Sequence, residues 1–181
     1  CTSAASDVYK RQRPMRRPLI IMSPKWILRH KLATSSLEEL AEGGFESVID
    51  DPIKNKKKVV KIILCSGKVY YHLLEARDEK KIKNIAIIRI EQLYPFPDIE
   101  MDNILKKYSH VESIIWCQEE PRNQGAWYNS QHFLRAAVGR LSEDLSLAYC
   151  GRASSAAPAS GYMSVHLEEQ RRFINEALET K

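Results

Sequence analysis

Residues that commonly build metal sites and disulfides are scarce. The chain has four cysteines in 181 residues, and they include no C-x-x-C pair and no spacing typical of zinc ligands. Three of them, Cys65, Cys117 and Cys150, follow apolar runs, where a free thiol behaves as a small buried hydrophobe in a reducing compartment. We therefore expect no disulfide framework and no metal site.

Glycine-based and histidine-based motifs are also missing. The seven glycines satisfy neither the G-x-G-x-x-G nor the P-loop pattern, and no G-x-S-x-G or H-E-x-x-H string occurs. The five histidines share no spacing that would form a ligand or base cluster, and Ser66 has no identifiable histidine and acid partners. These motifs therefore assign no catalytic, cofactor-binding or metal-binding residue.

Long apolar runs are absent as well. The longest, at 18–22 and 59–64, fall far short of the ~20 residues that span a bilayer. With 44% hydrophobic residues, the chain is long enough to bury one ordinary core. We expect one compact, soluble domain with no membrane partner.

An excess of positive charge is lacking in the body of the chain, although the net charge of the whole chain is +5. Residues 1–31 hold eight basic side chains against Asp7, whereas the remainder has 20 basic and 22 acidic residues. The body therefore lacks the basic groove of a nucleic-acid-binding protein, and we expect no nucleic-acid partner. Binding through the basic N-terminus is an alternative that removal of residues 1–17 would abolish.

The N-terminal segment begins with Cys1 and has no apolar face, which argues against a mitochondrial transit peptide. We interpret the chain as a piece of a longer protein. Residues 1–12 are interpreted as a non-native or disordered segment.

Short, β-branched apolar runs alternate with helical patterns along the chain. Such runs suit strands that are covered on both faces, as in a parallel sheet. The predicted strands are Val59–Leu64, Ile85–Ile90, Ser113–Cys117 and a weaker one at 145–149. Apolar residues at helical spacing predict helices over 69–77, 101–108, 127–138 and 164–178. This order predicts a three-layer α/β fold with a mainly parallel sheet and crossover helices.

The pattern is weaker before residue 58. Residues 18–22 predict a strand, and Ser36 to Glu39 has the S-x-x-E form of a capping box, which starts a short helix. The polar stretch 42–57 is interpreted as a linker, and its lysine run, Lys56–Lys58, as a solvated strand entry.

Candidate functional residues lie where the predicted strands end, because ligands of open α/β sheets bind beyond the carboxyl ends of the strands. Polar side chains there could take part in chemistry or could hold the loops through backbone contacts and ion pairs. The candidates are Glu91, Glu119, Glu120, Arg122, Asn123 and Gln124.

Arg152 is a further candidate. It belongs to a run of small residues at 151–161, which cannot pack a core and is predicted to be a surface loop or a subunit contact. Its guanidinium could bind an anion such as phosphate, or it could bridge to a neighbouring acid.

Several ordered strings carry a family resemblance. They are MSPKWILRHKLATSSLEEL, CSGKVYY, IAIIRIEQLYPFP, WCQEEPRNQGAWYNSQHF and the closing GR…SSAAPASGYMSVH. From about Arg13 to Leu178, the chain resembles the C-terminal part of the decarboxylating, thiamine diphosphate-dependent component of 2-oxoglutarate dehydrogenase, and more widely the transketolase-like enzymes. Trp26 departs from the pattern, since relatives usually have a small polar residue there.

The resemblance implies a C-terminal α/β domain at 58–181, preceded by the end of a pyrimidine-binding domain at 13–41. It also implies that the full-length enzyme of the tricarboxylic acid cycle uses thiamine diphosphate and magnesium to decarboxylate 2-oxoglutarate and passes the succinyl group to lipoamide. In the family those sites lie in earlier domains. We therefore expect the isolated fragment to bind neither group and to be inactive, with a structural, dimer-forming and regulatory role.

The partners implied by the resemblance are a second copy in a homodimer, dihydrolipoyl succinyltransferase and dihydrolipoyl dehydrogenase, in bacterial cytoplasm or mitochondrial matrix. A regulatory anion site would draw on Arg29, Lys68 and Arg152, for which salt bridges are the competing role. Two alternatives stay open: a 2-oxoadipate dehydrogenase relative, and a free-standing regulatory module that binds a phosphate-bearing metabolite.

Overall fold

The computed structural model of the chain describes residues 24–108 and 110–179, and divides the chain into two compact units, 1–46 and 47–181. The strand predicted at 18–22 and the segment 1–12 lie outside the described residues. Within the described part, no helix is both long enough and apolar enough to cross a membrane.

The described part of the first unit contains a 3₁₀ turn, Ile27–Arg29, and one short helix, α1 (Leu37–Glu42). The predicted capping box is present, since Ser36 Oγ accepts from the backbone of Glu39 at 3.1 Å and Glu39 Oε2 accepts from the backbone of Ser36 at 2.8 Å. Both bonds satisfy amides that a helix start leaves free, so the sequence prediction is confirmed. Trp26, the departure from the family pattern, stacks obliquely on His30 with ring centroids 4.0 Å apart.

The second unit contains a five-stranded sheet with strand order β1-β3-β2-β4-β5. Its strands are β1 (Val48–Ile49), β2 (Lys61–Cys65), β3 (Ile85–Ile90), β4 (Ser113–Pro121) and β5 (Leu147–Arg152). The last four pair in parallel, and β1 pairs antiparallel with β3 at one edge. Four longer helices accompany them: α2 (Val69–Glu79), α3 (Asp98–Leu105), α4 (Trp127–Leu141) and α5 (Met163–Leu178).

Two hydrophobic clusters cover the two faces of this sheet. The first cluster joins Ile62, Leu64 and Trp116 of the sheet to residues of α3 and α4. The second joins the alternating residues Ile63 and Cys65 to residues of α2 and α5. Because successive side chains of a strand point to opposite faces, these clusters establish a helix–sheet–helix sandwich. The predicted three-layer α/β fold is confirmed.

The linker prediction for 42–57 is wrong in its second half, because residues from Ser47 onward belong to the second unit. Val48 and Ile49 form β1 on the edge of the sheet, and Asp51 is only 3% exposed. One carboxylate oxygen of Asp51 accepts from the backbone of Ile87 at 2.7 Å and from the guanidinium of Arg77. These bonds compensate the burial of the Asp51 carboxylate, in a stretch whose composition suggested an exposed connection.

The lysine run Lys56–Lys58 was predicted to be solvated, and Lys56 departs from that prediction. Lys56–Lys58 forms a 3₁₀ turn, and Lys56 donates to Asp50 Oδ2 at 2.9 Å, to the Asp51 carbonyl at 3.0 Å and to the Tyr108 hydroxyl at 2.8 Å. Lys57 and Lys58 are exposed, as expected. Lys56 therefore joins the start of the second unit to the 3₁₀ turn Lys106–Tyr108, which follows α3.

Candidate functional site

The carboxyl ends of β2, β3 and β4 bound a cavity of ≈ 560 Å³. Its lining combines backbone and hydroxyl groups with apolar side chains, and we call it the strand-end cavity. The residues that line it are Ser66, Gly67, Leu93, Tyr94, Trp116, Gln118, Glu120, Gly125, Ala126, Asn129, Ser130 and Phe133. The cavity lies at the strand ends, where ligands of open α/β sheets bind.

Gln118 organises the wall of this cavity and is itself only 2% exposed. Its amide oxygen accepts from the indole of Trp116 at 2.9 Å and from the backbone of Trp127 at 3.0 Å. Its amide nitrogen donates to the carbonyls of Glu120 at 3.3 Å, Pro121 at 3.2 Å and Gln124 at 2.8 Å. One side chain thus fixes the turn after β4 and supplies a hydrogen-bond acceptor to the first residue of α4.

Gln118 is not among the candidates predicted from the sequence, although it directly precedes Glu119 and Glu120. The signal available in the sequence was its place directly after the buried run Ser113–Cys117 and before a polar turn. A buried amide at such a place must find partners for both of its ends, and loop carbonyls are the nearest ones.

Two glycines permit the close approach of the chain around the cavity. Gly125 has φ +66°, and a Cβ there would lie 3.0 Å from Glu120 Cβ and 3.1 Å from Gln118 Nε2. Gly67 has φ +76° at the turn that leads from β2 to α2, and a Cβ there would meet no atom within 4 Å. The backbone conformation at both positions favours glycine.

The predicted acidic candidates divide between ion pairs and the cavity wall. Glu119 pairs with Lys68 at 3.2 Å, and Glu91 pairs with Arg89 at 3.4 Å. Arg89 also donates to the Tyr71 hydroxyl at 3.0 Å. Glu120 lines the cavity. The structure therefore brings Glu119 and Lys68 together across the ends of β4 and β2, where they hold each other.

Asn123 and Gln124 contact the small-residue loop instead of the cavity. Asn123 exchanges two hydrogen bonds with the backbone of Ser155, at 2.9 and 3.0 Å. Gln124 donates to the carbonyls of Ser155 at 3.1 Å and Ala157 at 3.4 Å. Their place in the structure is that of residues that hold one loop against another.

Arg122 follows the same pattern, with its guanidinium 5.2 Å from the ring centroid of Tyr149. Burial raises the pKa of that phenol to about 12. The contact is therefore one between a cation and a neutral aromatic ring at ordinary pH.

Arg152 is the last residue of β5, so the prediction that it lies in the small-residue loop is wrong. The backbone at Gly151 and Arg152 pairs with Gln118 and Pro121 across a bulge, which extends the strand past the predicted 145–149. Arg152 is 6% exposed; its guanidinium lies 3.0 Å from His166 Nδ1 and 3.6 Å from Glu169 Oε2. The bridge to a neighbouring acid is the role that the geometry supports.

The three predicted anion-binding residues are not gathered into one site within either unit. Lys68 and Arg152 have acidic neighbours in the second unit, and Arg29 is an exposed residue of the 3₁₀ turn in the first. Among residues 24–108 and 110–179, no three histidine, cysteine or acidic side chains are placed to hold one metal ion.

Comparison with known proteins assigns the chain to a family. The family described as 2-oxoglutarate dehydrogenase C-terminal matches residues 34–178, which include α1 and all five strands. The chain belongs to this family. The match covers every predicted strand-end candidate, so the polar loops described above are loops of a 2-oxoglutarate dehydrogenase C-terminal domain.

Curated bacterial relatives agree with that assignment. The 2-oxoglutarate dehydrogenase E1 component of Azotobacter vinelandii is 49% identical over 166 residues, which are 91% of this chain and 18% of that protein. The Haemophilus influenzae E1 component is 52% identical over 167 residues, and the Coxiella burnetii E1 component is 49% identical over 170 residues. Each alignment covers 92% of this chain and 18% of the relative. The chain thus spans about a fifth of the length of these relatives.

Proposed function

We propose that this chain is the C-terminal part of a thiamine diphosphate-dependent 2-oxoglutarate dehydrogenase E1 component. The whole enzyme would decarboxylate 2-oxoglutarate and transfer the succinyl group to lipoamide, with dihydrolipoyl succinyltransferase and dihydrolipoyl dehydrogenase as partners. The observation that carries the proposal is identity of 49–52% to E1 components over 91–92% of the chain. The enzyme would work in the bacterial cytoplasm or the mitochondrial matrix.

The donor set of the described residues does not fit a magnesium–diphosphate site. Magnesium bound to a diphosphate takes carboxylate and carbonyl oxygens in octahedral geometry, but the strand-end acids Glu91 and Glu119 are each held by a cation, and Glu120 on the cavity wall belongs to no group of three possible metal ligands among the described residues. We therefore propose that thiamine diphosphate and magnesium are bound by parts of the enzyme other than the described residues. The role proposed for the chain is structural: it packs on the preceding domain and contributes to a homodimer.

Two measurements on different proteins test this assignment. Isothermal titration of the 181-residue chain with Lys68→Ala, which removes the anion site proposed below, should give no saturable heat with thiamine diphosphate and magnesium, because the described residues offer no fitting donor set. Tight binding by the isolated chain would overturn the proposal.

The second measurement uses a chimera. In the Azotobacter vinelandii E1 component, the C-terminal segment that aligns with this chain is replaced by residues 34–178. We expect a dimer that decarboxylates 2-oxoglutarate, whereas the same protein truncated before the segment should be inactive. An expressed, folded and dimeric chimera that turns over 2-oxoadipate in preference to 2-oxoglutarate would favour the alternative substrate.

The strand-end cavity favours a second, regulatory function, and we propose that it takes a small phosphate-bearing metabolite. Lys68 follows Gly67 of the cavity wall and is the N-cap of α2, where helix amides also attract anions, and it is held by Glu119 at 3.2 Å. An anion would compete with that carboxylate for the ammonium group. Ser66 and the backbone at Gly67 would add hydrogen bonds from the cavity wall.

Thermal unfolding of the chain with inorganic phosphate or pyrophosphate tests the regulatory site. We expect a saturable rise of the midpoint that Lys68→Ala abolishes and Arg122→Ala preserves, since Arg122 faces Tyr149. An equal loss in both variants would indicate general charge screening. A rise that depends on Arg29 but not Lys68 would move the site to the first unit.

A further inference from the structure

Three cysteines form a row across the sheet. Cys65 of β2 is in register with Cys117 of β4, and Cys117 is in register with Cys150 of β5. All three are free, are buried, and belong to the hydrophobic cluster on the α2–α5 face. Neighbouring strands lie about 4.8 Å apart, so adjacent thiols in the row are close neighbours.

Hydrogen bonds separate one pair from the third member of the row. The Cys65 thiol is directed toward β3, since it donates to the carbonyl of Ile88 at 3.7 Å. Cys117 is instead the neighbour of Cys150 in the strand register, and interaction with the Cys150 thiol, together with burial, raises the pKa of Cys117 well above its ordinary value. Cys150 also lies 3.2 Å from the carbonyl of Phe173 in α5.

We propose that Cys117 and Cys150 are a latent dithiol that closes into a cross-strand disulfide when α5 lifts from the sheet in the presence of a small-molecule disulfide. The spacing of paired strands, about 4.8 Å between Cα atoms, falls within the 4.4–6.8 Å that disulfides span. Side chains in register on parallel strands stand side by side, so Cβ atoms are farther apart than the 3.5–4.5 Å that a disulfide prefers. Such a bond is strained and therefore easily reduced.

The exchange chemistry balances with a disulfide such as oxidised glutathione. The Cys150 thiol loses its proton to solvent, its thiolate attacks one sulfur, and one glutathione thiolate leaves with the electron pair of the broken bond. The Cys117 thiol then loses its proton to solvent, its thiolate attacks the Cys150 sulfur, and the second glutathione leaves as a thiolate with the electron pair of the mixed disulfide; the two glutathione thiolates take up the two protons. The two protein thiols are oxidised, and one glutathione disulfide is reduced to two thiols.

Helix α5 controls access to this pair. Its buried residues Phe173, Ile174, Ala177 and Leu178 belong to the same cluster as the cysteines. Cys150 lies on β5, an edge strand of the sheet, so displacement of α5 exposes it from two sides. Burial raises the pKa of the Cys117 thiol, and both thiols are covered, so the pair stays inert until the helix moves.

The test is oxidation of the 181-residue chain in a Cys1→Ser background under native conditions. The protein is incubated with oxidised glutathione, free thiols are alkylated, and disulfide-linked peptides are mapped by mass spectrometry. We expect a Cys117–Cys150 linkage that dithiothreitol reverses. It should persist in Cys65→Ser, and Cys117→Ser should instead accumulate glutathione on Cys150.

Two core variants separate lifting of α5 from unfolding of the whole unit. Phe173→Ala removes a contact under α5, and Leu105→Ala removes a buried contact on the opposite face of the sheet. If α5 lifts locally, Phe173→Ala should raise the rate of Cys117–Cys150 linkage by at least about tenfold, which is on the order expected for a core deletion. Leu105→Ala should raise that rate by about twofold or less.

Three outcomes would overturn the proposal. One is the absence of the Cys117–Cys150 linkage in the wild-type chain, which needs no core variant to be observed. Another is a predominant Cys65–Cys117 linkage. The third is equal acceleration by Phe173→Ala and Leu105→Ala, which would assign the reaction to the unfolded chain.

Discussion

Gln118 is the residue on which the turn after β4 depends most. Replacing it with alanine removes the donor to three loop carbonyls and the acceptor for the Trp116 indole and the Trp127 amide. Because the Trp116 indole, the Trp127 amide and the Pro121 carbonyl are buried and are left without partners, we expect Gln118→Ala to lower the free energy of unfolding by about 2 to 4 kcal/mol. Urea unfolding followed by tryptophan fluorescence measures the change.

Gln92→Ala is the matched control for this substitution. Its amide donates to the carbonyl of Pro95 at the surface, at 2.7 Å. We expect a loss of about 0.5 kcal/mol or less, since water replaces an exposed bond. Equal effects of the two substitutions would contradict the role assigned to Gln118.

Asp50 gives the second unit a component of stability that depends on pH. Burial raises the pKa of its carboxyl, but hydrogen bonds from Lys56, Tyr108 and Lys107 outweigh burial and lower the pKa below its ordinary value. A carboxyl whose pKa is lower in the folded than in the unfolded state contributes its full stabilisation at pH values above its unfolded pKa of about 3.9. That contribution is lost as the pH falls through the folded pKa. The loss therefore occurs in the acid range below about pH 4.

Asp50→Asn should remove this component. We expect a cost of about 1 to 3 kcal/mol at pH 7, because charged hydrogen bonds are replaced by weaker ones, and a flatter decline of stability below about pH 4. Urea midpoints measured from pH 7 to about pH 2.5 test both parts. The exposed Asp144→Asn should follow the wild-type curve; an Asp50→Asn curve parallel to wild type would refute the assignment.

At single positions, sequence reasoning located the polar loops but not the contacts that their side chains make. Asn123 and Gln124 lie beyond β4, as predicted, whereas Glu119 lies within β4, which continues to Pro121, past its predicted end at Cys117. Their partners are Lys68 and the loop at 155–157. Those partners are distant in sequence and are brought near by the order of the strands. No local pattern specifies such pairings, so the choice between a site and a loop contact required the fold.

At the scale of the elements, alanine is expected to have opposite effects on stability at two glycines, one before α4 and one within it. Gly125 has φ +66° at the approach to α4, where a Cβ would lie 3.0 Å from Glu120 Cβ. Gly139 lies exposed inside α4, and a Cβ there would meet no atom within 4 Å. We expect Gly125→Ala to cost about 1 to 3 kcal/mol and Gly139→Ala to stabilise by about 0.5 to 1 kcal/mol.

Thermal unfolding of the two single variants and the double variant measures these effects. The two positions are in different backbone environments, so the midpoint should fall in Gly125→Ala and rise in Gly139→Ala. Stabilisation by Gly125→Ala would show that the turn before α4 does not require a left-handed residue.

The elements themselves were largely predictable. Strand β3 was predicted at its observed bounds, and the helices α2 and α5 within two residues at each end, because their apolar periodicity is strong. Strand β1 was missed, since two residues carry no period. Strand β5 was placed too early, because its last residues, Gly151 and Arg152, pair across a bulge that follows the geometry of β4 and leaves no apolar pattern.

For the molecule as a whole, the decisive feature is where the second unit begins. Sequence composition placed the start of the C-terminal domain at residue 58, whereas the structure includes Ser47 onward. The difference rests on Asp51, which is buried and bonded to both Arg77 and the backbone of Ile87. A chain beginning at residue 58 would leave the guanidinium of Arg77, 6% exposed, without its carboxylate.

Two chains, 47–181 and 58–181, therefore have different expected stabilities. The longer chain should unfold cooperatively, and the shorter one should lose about 3 to 5 kcal/mol, because removing one partner of a buried ion pair leaves an uncompensated charge. Urea unfolding of both chains measures the difference. Asp51→Ala in the longer chain should reproduce most of the loss, which separates the carboxylate from the strand pairing of β1.

Arg77→Met provides the sharpest check on the cause. In the shorter chain it removes the unpaired charge while keeping an apolar side chain of similar length, so stability should rise relative to 58–181. In the longer chain the same substitution leaves Asp51 without its cation and should destabilise. Opposite signs in the two chains would establish the ion pair as the reason that the domain starts at Ser47, and equal stabilities of 47–181 and 58–181 would restore the linker interpretation.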